Sequence, residues 1–138
     1  MTRDLRIEVV YPVEIARVWR ALTEPQSLRE WLMDNNFEAR VGHRFEFRTH
    51  GRPGFSGVIP CEVLEVEEPR LLSYTWGRTD SIVTFRLAQT EKGTRLQLNH
   101  RGFSGVRGIA MLLVLGRGWK SKLQVRLRRV VQGFSTQR

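Results

Sequence analysis

The period of the hydrophobic residues changes three times along this chain, from two to 3.6, back to two and again to 3.6, and few folds accommodate that order. Residues 6–11, RIEVVY, are β-branched and aromatic, stop at Pro12 and predict a first strand. Beyond Pro12, Ile15, Val18, Trp19 and Leu22 recur at helical spacing behind Glu14, an acid that suits the start of a helix dipole. Thr23-Glu24-Pro25 interrupts that helix, and Pro25 suits the first turn of a second short one carrying Leu28, Trp31 and Leu32. From 37 to about 101 the period returns to two, with strands expected at 44–49, 57–67, 71–76, 81–88 and 94–100. Val41-Gly42, the GRPG of 51–54, Glu68-Pro69, Gly77 and Lys92-Gly93 supply the turn chemistry between them. Such short connections predict an antiparallel meander. Over about 106–134 the helical period resumes, and Trp119, Leu123, Leu127, Val130, Val131 and Phe134 fall on one arc, with Lys122, Arg126, Arg128 and Arg129 outside it. The expected fold class is therefore α+β: a curved antiparallel β-sheet wrapped around a long C-terminal α-helix, with two short helices after the first strand. A chain of 138 residues fits one such domain over 1–138.

Composition narrows the function classes. With 41% hydrophobic and 27% charged residues the chain is neither disordered, collagenous nor a coiled coil. One cysteine, Cys61, excludes a disulfide scaffold and a cysteine-based zinc module. No secretory signal is visible, and the longest apolar run, IAMLLVL at 109–115, is far short of the roughly 20 residues a membrane helix needs. The expected location is cytoplasmic and not transmembrane.

The charge is unevenly placed. All 14 acids lie at or before Glu91, which leaves 12 cations in residues 1–91 and 11 cations without any acid in residues 92–138. The ordinary explanation is a solvated basic helix face, and the sharper one is a patch for an anionic partner. The helix lacks interleaved exposed aromatics, so nucleic acid is the partner with least support.

The chemical inventory is thin. His43, His50, His100 and Cys61 fall at no metal-ligand spacing, and no cofactor is expected. His43 and His50 are expected at strand ends, and Cys61 as a small buried hydrophobe. GFSGV occurs at 54–58 and 102–106, but neither copy fits a nucleophile elbow. GRGWKS at 116–121 lacks the Gly-Lys-Ser/Thr core of a phosphate loop. Glu62 is the one acid that could face an interior, although solvent exposure is the simpler expectation. No catalytic motif of recognised spacing is present, which favours a binding protein over an enzyme.

The element order, with VEIARVWRALTEPQSLREWL (13–32), GVIPCEVLEVEEPRLLSYTWG (57–77), VTFRLAQTEKGTRLQLNHRGF (83–103) and GWKSKLQVRL (118–127), resembles the START-like, or Bet v 1-like, helix-grip superfamily. Within it, these stretches are similar to the branch of heat-shock-protein-90-activator homologues. The resemblance implies a cavity between sheet and terminal helix, suited to a small apolar or aromatic molecule. Candidate ligand-binding residues for such a cavity are Trp31, Phe45, Phe47, Tyr74, Trp76, Phe85, His100, Trp119 and Leu123; for about half of the aromatics the alternative is plain core filling. A cyclase- or aromatase-type enzyme would draw on His100, Glu62 and Tyr74. A chaperone-activator-like module would use the basic helix toward an acidic protein partner, or self-associate through residues 109–126. The resemblance also implies a polar, acidic start to the terminal helix, whereas residues 108–118 read GIAMLLVLGRG. Either the helix is continuous, with Met111, Val114 and Leu115 outward near Val125, or it breaks at Gly116-Arg117-Gly118.

Overall fold

The computed structural model describes residues 2–51, 53, 56–77, 81–104 and 116–133. Strand β1 (Thr2–Tyr11) leads into helices α1 (Ile15–Thr23) and α2 (Pro25–Trp31), then β2 (Asp34–Asn35), β3 (Arg44–Arg48), β4 (Val58–Glu67), β5 (Leu71–Thr75), β6 (Ile82–Thr90) and β7 (Gly93–Ser104). The terminal helix, α3, covers 116–133. The seven strands form one curled antiparallel sheet in the order β1-β7-β6-β5-β4-β3-β2, and the expected helix-grip α+β architecture is the observed one.

Alternation decides which face each strand buries. Ile7, Val9 and Tyr11 of β1, Phe45 and Phe47 of β3, Val83, Phe85 and Leu87 of β6, and Leu96, Leu98 and His100 of β7 point inward, while Arg6, Glu8, Arg86 and Gln97 point away. Trp119, Leu123, Leu127 and Val131 of α3 are buried against that inward face, one residue per turn. Each fully buried leucine on this stripe contributes on the order of 2 kcal/mol. Helix α1 buries Val18, Trp19, Ala21 and Leu22, and the Trp31 indole of α2 donates to the Ala21 carbonyl at 2.9 Å, tying the two short helices together.

Several local expectations shift. β1 begins at Thr2 rather than at 6, and β6 and β7 extend to Thr90 and Ser104, because each pairs along nearly its full length with a neighbour. Glu14 is the N-cap of α1 rather than a first-turn residue, and its side chain makes no capping bond. The Ile15 amide instead donates to Gln89 Oε1 at 3.1 Å. Residues 116–118 are helical, and the stretch before them, on which the choice between a continuous and a broken helix turns, lies outside the described residues. Helix α3 is not uniform, since Lys122–Arg126 form a π-turn. The predicted core residue Phe134, the apolar stretch 109–115 and parts of both GFSGV copies lie outside the described residues.

A two-residue turn, Glu91-Lys92, joins β6 to β7 and delivers Gly93 at φ +128. A Cβ at that position would collide with the Tyr11 carbonyl oxygen, so close approach of β1 there requires glycine. Gly42 also has positive φ (+87) but open space around it. Gly93→Ala is expected to lower stability by about 2–4 kcal/mol, and Gly42→Ala by about 1 kcal/mol. Urea denaturation of both variants checks this; equal losses would mean that backbone angle alone, and not the β1 contact, sets the requirement.

Candidate functional site

The nine candidate residues converge on one interior between the sheet and α3. Phe45 and Phe47 come from β3, Tyr74 from β5, Phe85 from β6, His100 from β7, Trp31 from α2, and Trp119 and Leu123 from α3, with Trp76 just beyond β5. All are buried except Trp76, which is half-buried. Their rings are in contact: Phe47 to Trp76 and Trp76 to Trp119 at 5.4 Å between centroids, Phe85 to Trp119 at 6.1 Å, Phe45 to Tyr74 at 5.2 Å. Edge-to-face geometries such as Phe45–Tyr74 at 85° are the favourable ones for aromatic pairs. Two open hollows lie elsewhere among the described residues. One, of about 700 Å³, runs along Ile15, Pro69, Leu71 and Leu87; the other, of about 350 Å³, lies on the outer sheet face at Arg6, Thr84, Arg86 and Asn99. Neither includes any of the nine residues.

The interior carries few polar atoms, and each is specific. Trp119 Nε1 donates to His100 Nδ1 at 3.1 Å. Indole N–H can only donate, so Nδ1 is the acceptor and the neutral imidazole carries its proton on Nε2. Tyr11 Oη donates to the Leu123 carbonyl at 2.7 Å, within the π-turn, and the Arg128 guanidinium lies 5.2 Å from the Tyr11 ring centre. The hydroxyl of Tyr74 is fully buried and has no hydrogen-bond partner among the described residues.

Burial keeps all of these groups uncharged. It pushes the His100 imidazole down to about 4 and the Cys61 thiol up to about 12. The Tyr74 phenol lies well above its ordinary value through burial first and the neighbouring Cys61 second.

The remaining candidates lie outside this interior. Glu62 pairs with Arg44 at 3.6 Å across β3 and β4, with its side chain 42% exposed. It does not converge on Tyr74 and His100. His50 is exposed, and His43 is held by the Asn36 carbonyl at 3.0 Å and by Arg40 at 3.2 Å. Among the described residues no group of three His, Cys, Asp or Glu side chains could hold a metal, and no helix is long and apolar enough to cross a membrane. Sequence reasoning missed Phe37, which stands edge-on to Phe45 at 5.0 Å. It lies in the irregular stretch after β2, where an isolated aromatic carries no periodic signal. It also missed Tyr11 as an anchor of α3; a polar-tipped aromatic closing a buried strand was the available cue.

The sequence model of the family described as activator of Hsp90 ATPase homologue 1-like protein matches residues 12–132. Among solved structures the chain is similar to protein MLL2253 from Mesorhizobium loti, at 33% identity over 94% of this chain and 97% of that one, with a TM-score of 0.85. It is similar to protein BH1534 from Bacillus halodurans at 32% identity over 95% and 99%, with a TM-score of 0.80. It also resembles CalU16 from Micromonospora echinospora at 29% identity over 96% of this chain and 76% of that one, with a TM-score of 0.75. No curated protein matches the chain.

Burial of the His100 imidazole makes stability depend on pH. In the unfolded chain the imidazole titrates near 6.5, and in the native protein near 4, so between those values the unfolded state binds the extra proton. Stability is therefore expected to be level above about pH 6.5 on account of this group, and to fall by about 3 kcal/mol as pH drops toward 4. His100→Gln keeps an acceptor for Trp119 but cannot titrate, and should flatten the decline. Urea midpoints measured from pH 7.5 to 4 on both proteins decide it, and parallel curves would remove His100 as the cause.

Proposed function

We propose that this chain, which belongs to the activator of Hsp90 ATPase homologue 1-like family, binds a small, neutral, hydrophobic or aromatic molecule between the sheet and α3. The observation that carries this reading is the Tyr74 hydroxyl, buried among Phe45, Phe47 and Phe85 with no partner among the described residues. A buried polar group left unsatisfied costs about 1–3 kcal/mol, and such groups are uncommon in native interiors. A ligand oxygen or nitrogen offered to that hydroxyl relieves the cost, while the rings around it supply an apolar enclosure.

The ligand is neutral on this reading because His100, Tyr74 and Cys61 are all held uncharged near neutral pH and offer no countercharge. Binding requires the rings now in contact to part, with Trp119 on α3 and Trp76 on the sheet as the facing pair. The nine residues act as walls, with Tyr74 as the polar anchor. A cytoplasmic setting goes with this reading, in which Cys61 stays a reduced, buried thiol.

Amide NMR titrations with 2-naphthol and with naphthalene test the proposal. Saturable shifts are expected at Trp76, Phe85, Trp119 and Leu123, with 2-naphthol the tighter probe. Tyr74→Phe should weaken 2-naphthol about 10-fold and leave naphthalene within about 2-fold. Removing the orphaned hydroxyl should also stabilise the unliganded protein by about 1 kcal/mol. The absence of saturable shifts at those inner residues for either probe would sink the reading.

A further inference from the structure

Every ion pair among the described residues joins partners between Asp4 and Arg70. The cations of α3 share in none of them. Arg117, Lys120, Arg126 and Arg129 are exposed, Lys122 is half-buried, and none of the five has an anionic partner among the described residues. No acid follows Glu91 in the sequence, so the last third of the chain holds no carboxylate side chain to neutralise them. Burial first, and the neighbouring Arg126 guanidinium second, push the Lys122 ammonium below its ordinary range. In their midst Val125 is 46% exposed, flanked by exposed Ser121 and Gln124.

The apolar stripe of α3 is already committed to the sheet, so what the helix presents outward is a cationic rim around one aliphatic side chain. That arrangement has the anatomy of a protein interface, an apolar centre inside a charged border. We infer that the outer face of α3, at Arg117, Lys120, Val125, Arg126 and Arg129, docks an acidic helical segment of a partner protein.

At about 1.5 Å of rise per residue, positions 117 to 129 extend over about 18 Å, so the exposed cations Arg117, Lys120, Arg126 and Arg129 come roughly once per helical turn. A helix with one carboxylate per turn meets that spacing, and its own small apolar side chain can cover Val125. A phosphate backbone has nothing apolar to set against Val125, and the face exposes no aromatic side chain for base stacking. A two-fold pairing with a second copy would bring the same cations together. Among the described residues of this face an anionic membrane would find one aliphatic side chain, Val125, to bury. The inference does not depend on ligand binding in the interior.

The test uses the full chain and three probes: a peptide of about 20 residues with a glutamate at every helical turn, a single-stranded DNA oligonucleotide of similar charge, and phosphatidylglycerol vesicles. The peptide should give saturable amide shifts at residues 117–129, weakened by salt. Arg126→Glu combined with Arg129→Glu should weaken it at least about 10-fold, and the paired Arg→Lys variant by no more than about 3-fold. Val125→Ser should weaken it about 3-fold at high salt, where charge contributes least. Arg95→Glu with Arg101→Glu, on the sheet face turned away from α3, should leave the affinity unchanged. Tighter binding of the oligonucleotide or the vesicles at the same residues would overturn the assignment. So would peptide affinity that survives the charge reversal, or no saturable shift on α3.

Discussion

The grip of α3 on the sheet is the interaction on which the rest depends, and most of it is apolar. Trp119, Leu123, Leu127 and Val131 supply the burial, but contacts of that kind fix the depth of a helix better than its position along its own axis. Two buried hydrogen bonds set that position: Trp119 Nε1 to His100 Nδ1, and Tyr11 Oη to the Leu123 carbonyl. They reach β7 and β1, two strands that pair directly, and leave α3 through residues one turn apart. The second meets the helix inside the π-turn, where wider winding loosens the regular carbonyl-to-amide ladder and leaves room for an outside donor. A sheet that curls around a helix needs such fixed points, because a slide of one residue would turn the indole of Trp119 out of the interior.

The sequence announced the architecture because periodicity is dictated by geometry on one face of each element. Phe45/Phe47 and Val83/Phe85/Leu87 could alternate only in strands with one buried side, and Trp119/Leu123/Leu127/Val131 could recur only on a helix. That the nine candidate residues meet in one interior was legible for the same reason. Less visible were the features that depend on contacts distant in sequence. The π-turn has no compositional signature in KLQVR, and Tyr11 is 112 residues from the carbonyl it reaches. Phe37 belongs to no periodic segment, so only the folded chain shows it against Phe45. The extra length of β1 and β7 came from their pairing with each other, not from the propensities of TRDL or RGFS.

Desolvation also decides between the chemistries the interior could support. Acid–base catalysis works best with groups that titrate near the working pH. Here burial drives the imidazole down and the phenol and thiol up, so none exchanges a proton near neutrality, and the candidate carboxylate, Glu62, is turned to the surface beside Arg44. What such an interior retains is shape and a few directed hydrogen bonds. Those are the properties that the proposed binding of an uncharged molecule would draw on.

Charge and chemistry are thus divided by the same helix. Its inner stripe faces rings and neutral polar atoms, while its outer face carries cations that the sequence leaves without acids of their own. The division follows from a steric fact: a helix wrapped on one side by a sheet has one face that must be apolar, and only the other is free to carry charge at little cost. Because Lys122 and Arg128 lie half-buried at the border, with Arg128 set against Tyr11, the outer face is joined to the hydrogen bond that holds Leu123.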